Sequence, residues 1–211
     1  MDTIKRYWHS DPIFSLSHAG MVCALALIIS VSQSHAQASN LAATMNGRVS
    51  PELRAQVMVL VDSAAAASLP STPLIDKTLE GTSKGIDDHR ILTAVQTILA
   101  SLREARLALG KISDDELTAA ASALRAGVPA ATLVTMQRSL GDRSLVVPLS
   151  VLSALVVQGV APPAAETAVV TYVQHNDDAR MLVYGRDVVR EIVAGMAPQV
   201  AISAAVGKAR P

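Results

Sequence analysis

Beyond residue 40 the chain carries two histidines, and each stands beside acids: Asp87-Asp88-His89-Arg90 and His175-Asn176-Asp177-Asp178. An imidazole next to carboxylates can ligate a cation or carry a proton. Both clusters, however, fall where the pattern starts or stops a helix. Acids there complement the positive end of the helix dipole, and a histidine near a C-terminus is favoured in its charged form. Capping accounts for these residue types, so no metal and no other cofactor is expected. The His-x₃-His, Cys-x₂-Cys, Gly-x-Ser-x-Gly, phosphate-loop and dinucleotide glycine patterns are absent. Serines and threonines are plentiful, but none stands in a recognisable nucleophile motif. Cys23 has no second cysteine to pair with.

Two polar groupings remain. Lys77, Glu80 and Lys84 are spaced three and four apart, with Arg90 close behind; Arg186, Asp187, Arg190 and Glu191 form the second set. Either set can serve as a docking patch for a partner. Either is also what a solvated helix face looks like when laced by i,i+3 and i,i+4 ion pairs, worth about 0.2–0.5 kcal/mol each. These eight residues are the candidate partner-docking positions, and no residue is assigned a catalytic role.

The elements that must position them are helices. The stretch Ala123-Leu124-Arg125-Ala126-Gly127-Val128-Pro129 reads as a helix end, a minimal turn and a new start: glycine takes the left-handed closing conformation, and proline opens the next helix without an N–H to leave unsatisfied. Related corners stand at Gly85-Ile86-Asp87, Gly159-Val160-Ala161-Pro162 and Gly195-Met196-Ala197-Pro198, at spacings of 42, 32 and 36 residues. Looser junctions at Gly110, Gly141 and Asn176 alternate with them. Ser50-Pro51-Glu52 and Thr72-Pro73 start the first two helices, Asp87 caps the third, and Ser113-Asp114-Asp115-Glu116 is a capping box. Ile91, Leu92, Val95, Ile98, Leu99, Leu102 and Leu109 are expected to share one helical face. Leu145 to Val157 is apolar nearly all round, which predicts a helix covered by its neighbours. Gly185 falls on the apolar stripe of Met181, Val188 and Ile192 and predicts a close helix approach. The fold class expected is all-α: about eight or nine short helices stacked as helical hairpins, either α-solenoid-like or an irregular bundle.

Composition agrees. Half of the 211 residues are hydrophobic while only 2% are aromatic, and the rings after residue 40 are Tyr172 and Tyr184. A core of small aliphatic side chains suits closely packed helices. Formal net charge is zero, which gives no global field toward nucleic acid or anionic lipid.

The first residues have a different layout. Lys5 and Arg6 precede an apolar run from Met21 to Val31, and small residues then flank possible cleavage positions after Ala36 or Ala38. That predicts a signal peptide over 1–38, a flexible arm over 39–49 and a helical-hairpin domain over 50–211. The expectation is an exported, periplasmic or extracellular, soluble and non-catalytic protein of the envelope. It would bind an unknown protein or peptide, with no nucleic acid and no stable membrane insertion after cleavage. The alternatives are an enzyme whose site is assembled from scattered Asp, Glu, Arg and Ser, and a periplasmic carrier of a small apolar ligand.

Overall fold

The chain is punctuated by helix ends, and each end is closed in an identifiable way. The computed structural model describes residues 44–208, with side chains through residue 205. The expected leader over 1–38, its cleavage positions and residues 39–43 lie outside the described residues. Those described are all helical, with nine helices and no strand among them: α1 (Pro51–Ala66), α2 (Thr72–Ser83), α3 (Asp88–Leu109), α4 (Asp114–Arg125), α5 (Ala130–Leu140), α6 (Val146–Val157), α7 (Pro162–Val173), α8 (Asp178–Val193) and α9 (Pro198–Lys208). No described helix is long and apolar enough to cross a membrane.

The starts follow the sequence. Ser50 Oγ accepts from Leu53 N at 3.2 Å, Asp87 Oδ1 from His89 N at 3.0 Å and Asp177 Oδ1 from Arg180 N at 2.8 Å. Ser113 and Glu116 form the capping box in both directions. One start is displaced. Pro129 has ψ 145 and caps α5 from an extended conformation, so that helix begins at Ala130. Just before α1, Met45 and Val49 are buried in the core. The described end of the segment expected as an arm is therefore packed.

The corners share one hydrogen-bond pattern. At Gly127 (φ 94), Val128 N donates to Ala123 O and Gly127 N to Leu124 O, both at 3.0 Å. The same pair of bonds closes the chain at Gly85, Gly159 and Gly195. It also closes α1, where Ser68 rather than glycine takes the left-handed conformation (φ 52) and Leu69 N reaches Ala64 O at 2.9 Å. The apolar residue after the corner is buried at Leu69, Val128 and Val160.

Packing runs between alternate helices. α1 packs on α3, α3 on α5, α5 on α7 and α7 on α9; α4 packs on α6 and α6 on α8. Successive helices also pair at α1–α2, α2–α3, α3–α4, α6–α7, α7–α8 and α8–α9. The hairpin expected at the Gly127 corner is not among these. The main partners of α4 are α3 and α6, and those of α5 are α3 and α7, because the corner turns the chain without laying its two helices on each other.

Side chains stitch the ends of alternate helices together. Arg106 donates to Ser68 O at 2.9 Å and Gln137 to Leu109 O at 3.2 Å. Arg143 donates to Val173 O, and to Asn176 O at 3.1 Å. Each bond joins the C-terminal ends of helices two apart, so α1, α3, α5 and α7 run parallel. Glu116 does the corresponding work at N-termini. Its Oε2 accepts from Ser113 and its Oε1 accepts from Leu145 N at 3.1 Å, capping α6, whose own cap residue is a leucine.

α6 is only partly covered. It packs on α4, α7 and α8, yet Val157 is 66% exposed, since neighbours two apart cover the flanks of a helix and leave an outer edge. Gly185 meets α6 as expected: a Cβ there would stand 2.8 Å from Val151 Cγ1.

Nothing lies within 4 Å of a Cβ placed on Gly127, so a side chain there costs backbone strain alone. Gly127→Ala should lose about 1 kcal/mol in urea unfolding, and Ser68→Gly should gain about 0.5 kcal/mol, helicity unchanged in both. Glu116 is the pH-sensitive joint. Burial pushes its carboxyl up, but the hydrogen bonds from Leu145 and Ser113 outweigh this and hold it below its ordinary 4.5. A depressed folded value contributes stability above the unfolded value and loses it as pH falls. Glu116→Gln should therefore lower the urea midpoint at pH 7, and the difference should shrink as pH falls below the ordinary 4.5.

Candidate functional site

α8 carries Val183, Tyr184, Asp187, Arg190 and Glu191 at i, i+1, i+4, i+7 and i+8, a spacing that puts them on one helix face. α9 carries Ala201, Ala204 and Ala205 at i, i+3 and i+4. Together with Tyr172 at the end of α7, these residues line a cleft of about 200 Å³. Its walls are alanine methyls, a valine and two phenol rings, and its charge comes from Asp187, Arg190 and Glu191.

The rings stack, with centroids 4.3 Å apart and planes inclined by 26°. Asn176 and Asp177 turn the chain between them, so α8 returns along α7 and brings Tyr184 onto Tyr172. Asn176 Nδ2 donates to Tyr172 O at 3.0 Å, and Tyr172 Oη donates to Arg180 O at 3.3 Å. Tyr184 is 3% exposed, and its hydroxyl is buried with no hydrogen-bond partner. Burial first, and the neighbouring Tyr172 second, push this phenol up to about 12. Burial also raises Tyr172.

Three of the four charged residues predicted on α8 meet in the cleft. Asp187 is held by Arg190 at 3.3 Å and by Arg186 at 3.8 Å, while Arg186 points outward and is 70% exposed. Glu191 lines the cleft without an ion pair among the described residues. Exposed apolar residues crowd the same two helices: Leu182, Val183 and Val193 on α8 and Val200 on α9 are 46–72% exposed.

The other predicted set is a ladder elsewhere, on α2, which packs on α1 and α3. Lys77 and Lys84 both bind Glu80, at 2.9 and 2.5 Å. The Lys84 contact first, and the Lys77 contact second, hold its carboxyl down at about 2. Arg90 on α3 stands apart from this ladder and pairs with no acid among the described residues. Around the histidines, His89 lies beside a capping aspartate and His175 Nδ1 is 3.3 Å from Thr171 O. No group of three or more His, Cys, Asp or Glu that could hold a metal occurs among the described residues.

The tyrosines and the alanine wall were not predicted as site residues. Their signal was scarcity, since two rings twelve residues apart across a helix turn are all the aromatic surface the later chain possesses. Comparison with protein-family models, curated proteins and solved structures returns no significant match.

Deleting the stranded hydroxyl should help the fold. Tyr184→Phe is expected to stabilise by about 1 kcal/mol, because it removes a desolvated donor and keeps the ring. Tyr172→Ala should cost about 1 kcal/mol or more through the lost stack and contact area. Absorbance titration of tyrosinate should show one phenol, lost in Tyr184→Phe, ionising near pH 12.

Proposed function

We propose that this chain is an exported, soluble, non-catalytic protein of the cell envelope, an α-solenoid-like stack that binds a protein or peptide through the groove between α8 and α9. The observation that carries this reading is the cleft in which Val183 and the alanines of α9 meet Asp187, Arg190 and Glu191, on two helices that also expose Leu182, Val193 and Val200. An apolar strip rimmed by charge is the usual character of a protein-docking surface. Packing of each helix on the one two positions away supports the solenoid reading, and such stacks commonly dock partners on a continuous helical face. The leader reading over 1–38 supports export.

The groove also matches the shape of an amphipathic helix. Elsewhere α8 lies against both α6 and α7, whereas no described helix lies over α8 and α9 in the same way. A partner helix there would continue the stack by one element, with apolar residues at i, i+3, i+4 and i+7 against the alanine wall. The two acids of the cleft come from a single helix, and Asp187 is neutralised by two arginines. That favours docking over an acid–base pair assembled from several helices. The cleft takes no side chain from α6, where a carrier of an apolar ligand would need its cavity.

A photo-cross-linking residue at Val183 or Glu191, introduced in the producing cell, should give one discrete protein adduct, and the same residue at exposed Glu52 on α1 should give none. No protein adduct from either α8 position would overturn the docking reading.

A further inference from the structure

We infer that Asn46 is a self-modification site. It cyclises with the Gly47 amide to a succinimide, loses ammonia and reopens with water to aspartate or isoaspartate, and Arg54 assists the ring closure.

The chemistry begins in the residue pair. The backbone nitrogen after an asparagine lies close enough to attack its side-chain Cγ, and the attack closes a five-membered ring within one molecule. A side chain on the following residue crowds that approach, and glycine has none. The chain has three asparagines, and only Asn46 precedes a glycine. Asn46 and Gly47 are exposed, Gly47 is left-handed at φ 70, and nothing lies within 4 Å of a Cβ placed on it. Arg48 N and Val49 N, not Gly47 N, make the two 3.2 Å bonds to Met45 O that close this turn. Asn176 is the contrast. It is half-buried, it precedes Asp177, and its Nδ2, the nitrogen that would leave, donates to Tyr172 O at 3.0 Å. Asn40 lies outside the described residues.

Arg54 makes Asn46 more than an exposed Asn–Gly pair. Its Nη1 donates to Asn46 Oδ1. A guanidinium only donates, so it faces the oxygen of the amide and not the nitrogen. That oxygen gains negative charge as the ring closes, and a cation already bonded to it stabilises the tetrahedral adduct as an oxyanion hole does. Arg54 sits in the first turn of α1, the helix that Ser50 caps, so its backbone is fixed while the side chain reaches back to the turn.

The atoms balance without an oxidant or reductant. Gly47 N gives up its proton to solvent and bonds to Cγ. The Cγ–Nδ2 bond then breaks and the nitrogen leaves, protonated, as ammonia. Water next adds to one of the two ring carbonyls. Opening at Cγ gives aspartate; opening at the main-chain carbonyl gives isoaspartate, with the proton returned to Gly47 N in both. Aspartate at 46 keeps Arg54 as an ion pair. Isoaspartate routes the backbone through Cβ and Cγ and lengthens it by one carbon between Met45 and Val49, both buried. That product loosens the segment packed before α1.

The test incubates the purified chain, as the producing cell leaves it, in near-neutral buffer at physiological temperature. Mass spectrometry follows the peptide carrying Asn46, and methyltransferase labelling reads isoaspartate. Wild type should convert Asn46 to both products at least as fast as the same chain unfolded in guanidinium chloride, while Asn176 stays intact. Arg54→Ala should slow the native conversion on the order of tenfold, and Arg54→Lys should recover part of the rate, with helical circular dichroism retained in both. Unfolded, all three chains should convert alike, which separates help at the ring closure from damage to the fold. The isoaspartate form should unfold at lower urea than Asn46→Asp. A native Asn46 that outlasts the unfolded one, or an Arg54→Ala chain that converts as fast as wild type, would overturn the inference.

Discussion

A helix that ends inside a packed protein leaves carbonyls and amides without partners, and in this chain the answer to that constraint organises everything else. Five helix ends close by folding the chain back so that the residue after the corner donates to a carbonyl five positions earlier. At three ends without this device a side chain from elsewhere in the chain supplies a bond, Gln137 at the end of α3, Arg143 at the end of α7 and Glu116 at the start of α6, and Arg106 adds one just beyond the α1 corner. The first device is local and sets where the chain turns. The second spans roughly thirty to forty residues and sets which helices lie side by side.

Small side chains make that arrangement close. The buried set is Leu, Val, Ile, Ala and Met with one ring, Tyr184. Helices lined by such residues approach closely, as α8 does at Gly185, whose backbone lies against the Val151 side chain. A methyl added there has no free volume to enter, because core packing is already dense. The cost of building with small residues is that no side chain is long enough to shield an outer helix from solvent. Among the described residues large apolar side chains reach the surface on α8 and α9 and also at Val59, Ile86, Leu107 and Val157.

The cleft is a product of the same geometry. The Asn176-Asp177 turn between α7 and α8 lets Tyr184 stack on Tyr172, and both rings line the cleft that α8 forms with α9. Alanines on α9 hold the space open, and the charges of α8 stand along its rim. Glu80, Lys77 and Lys84 are likewise opposite charges three and four residues apart, and they pair with one another on α2. What sets the α8 charges apart is their surroundings, a cleft they line together with Val183, two tyrosines and three alanines.

The sequence by itself determined the helices and their ends. Ser50, Asp87, the Ser113–Glu116 box and the glycine corners act over three to six residues, a range in which the chain has few other ways to satisfy its backbone. The buried stripe of α3 and the close approach at Gly185 were legible for the same reason, through the 3.6-residue period. The Ser68 corner was not, because serine in a left-handed conformation leaves no mark in composition. Only the tertiary structure decided that Glu116 caps α6, that α4 and α5 do not pair across Gly127, and that Tyr172, Tyr184 and three alanines join half of a predicted charged row. Those contacts join residues far apart along the chain, where no periodicity constrains the partner and the choice rests on which helices can lie together with their ends satisfied.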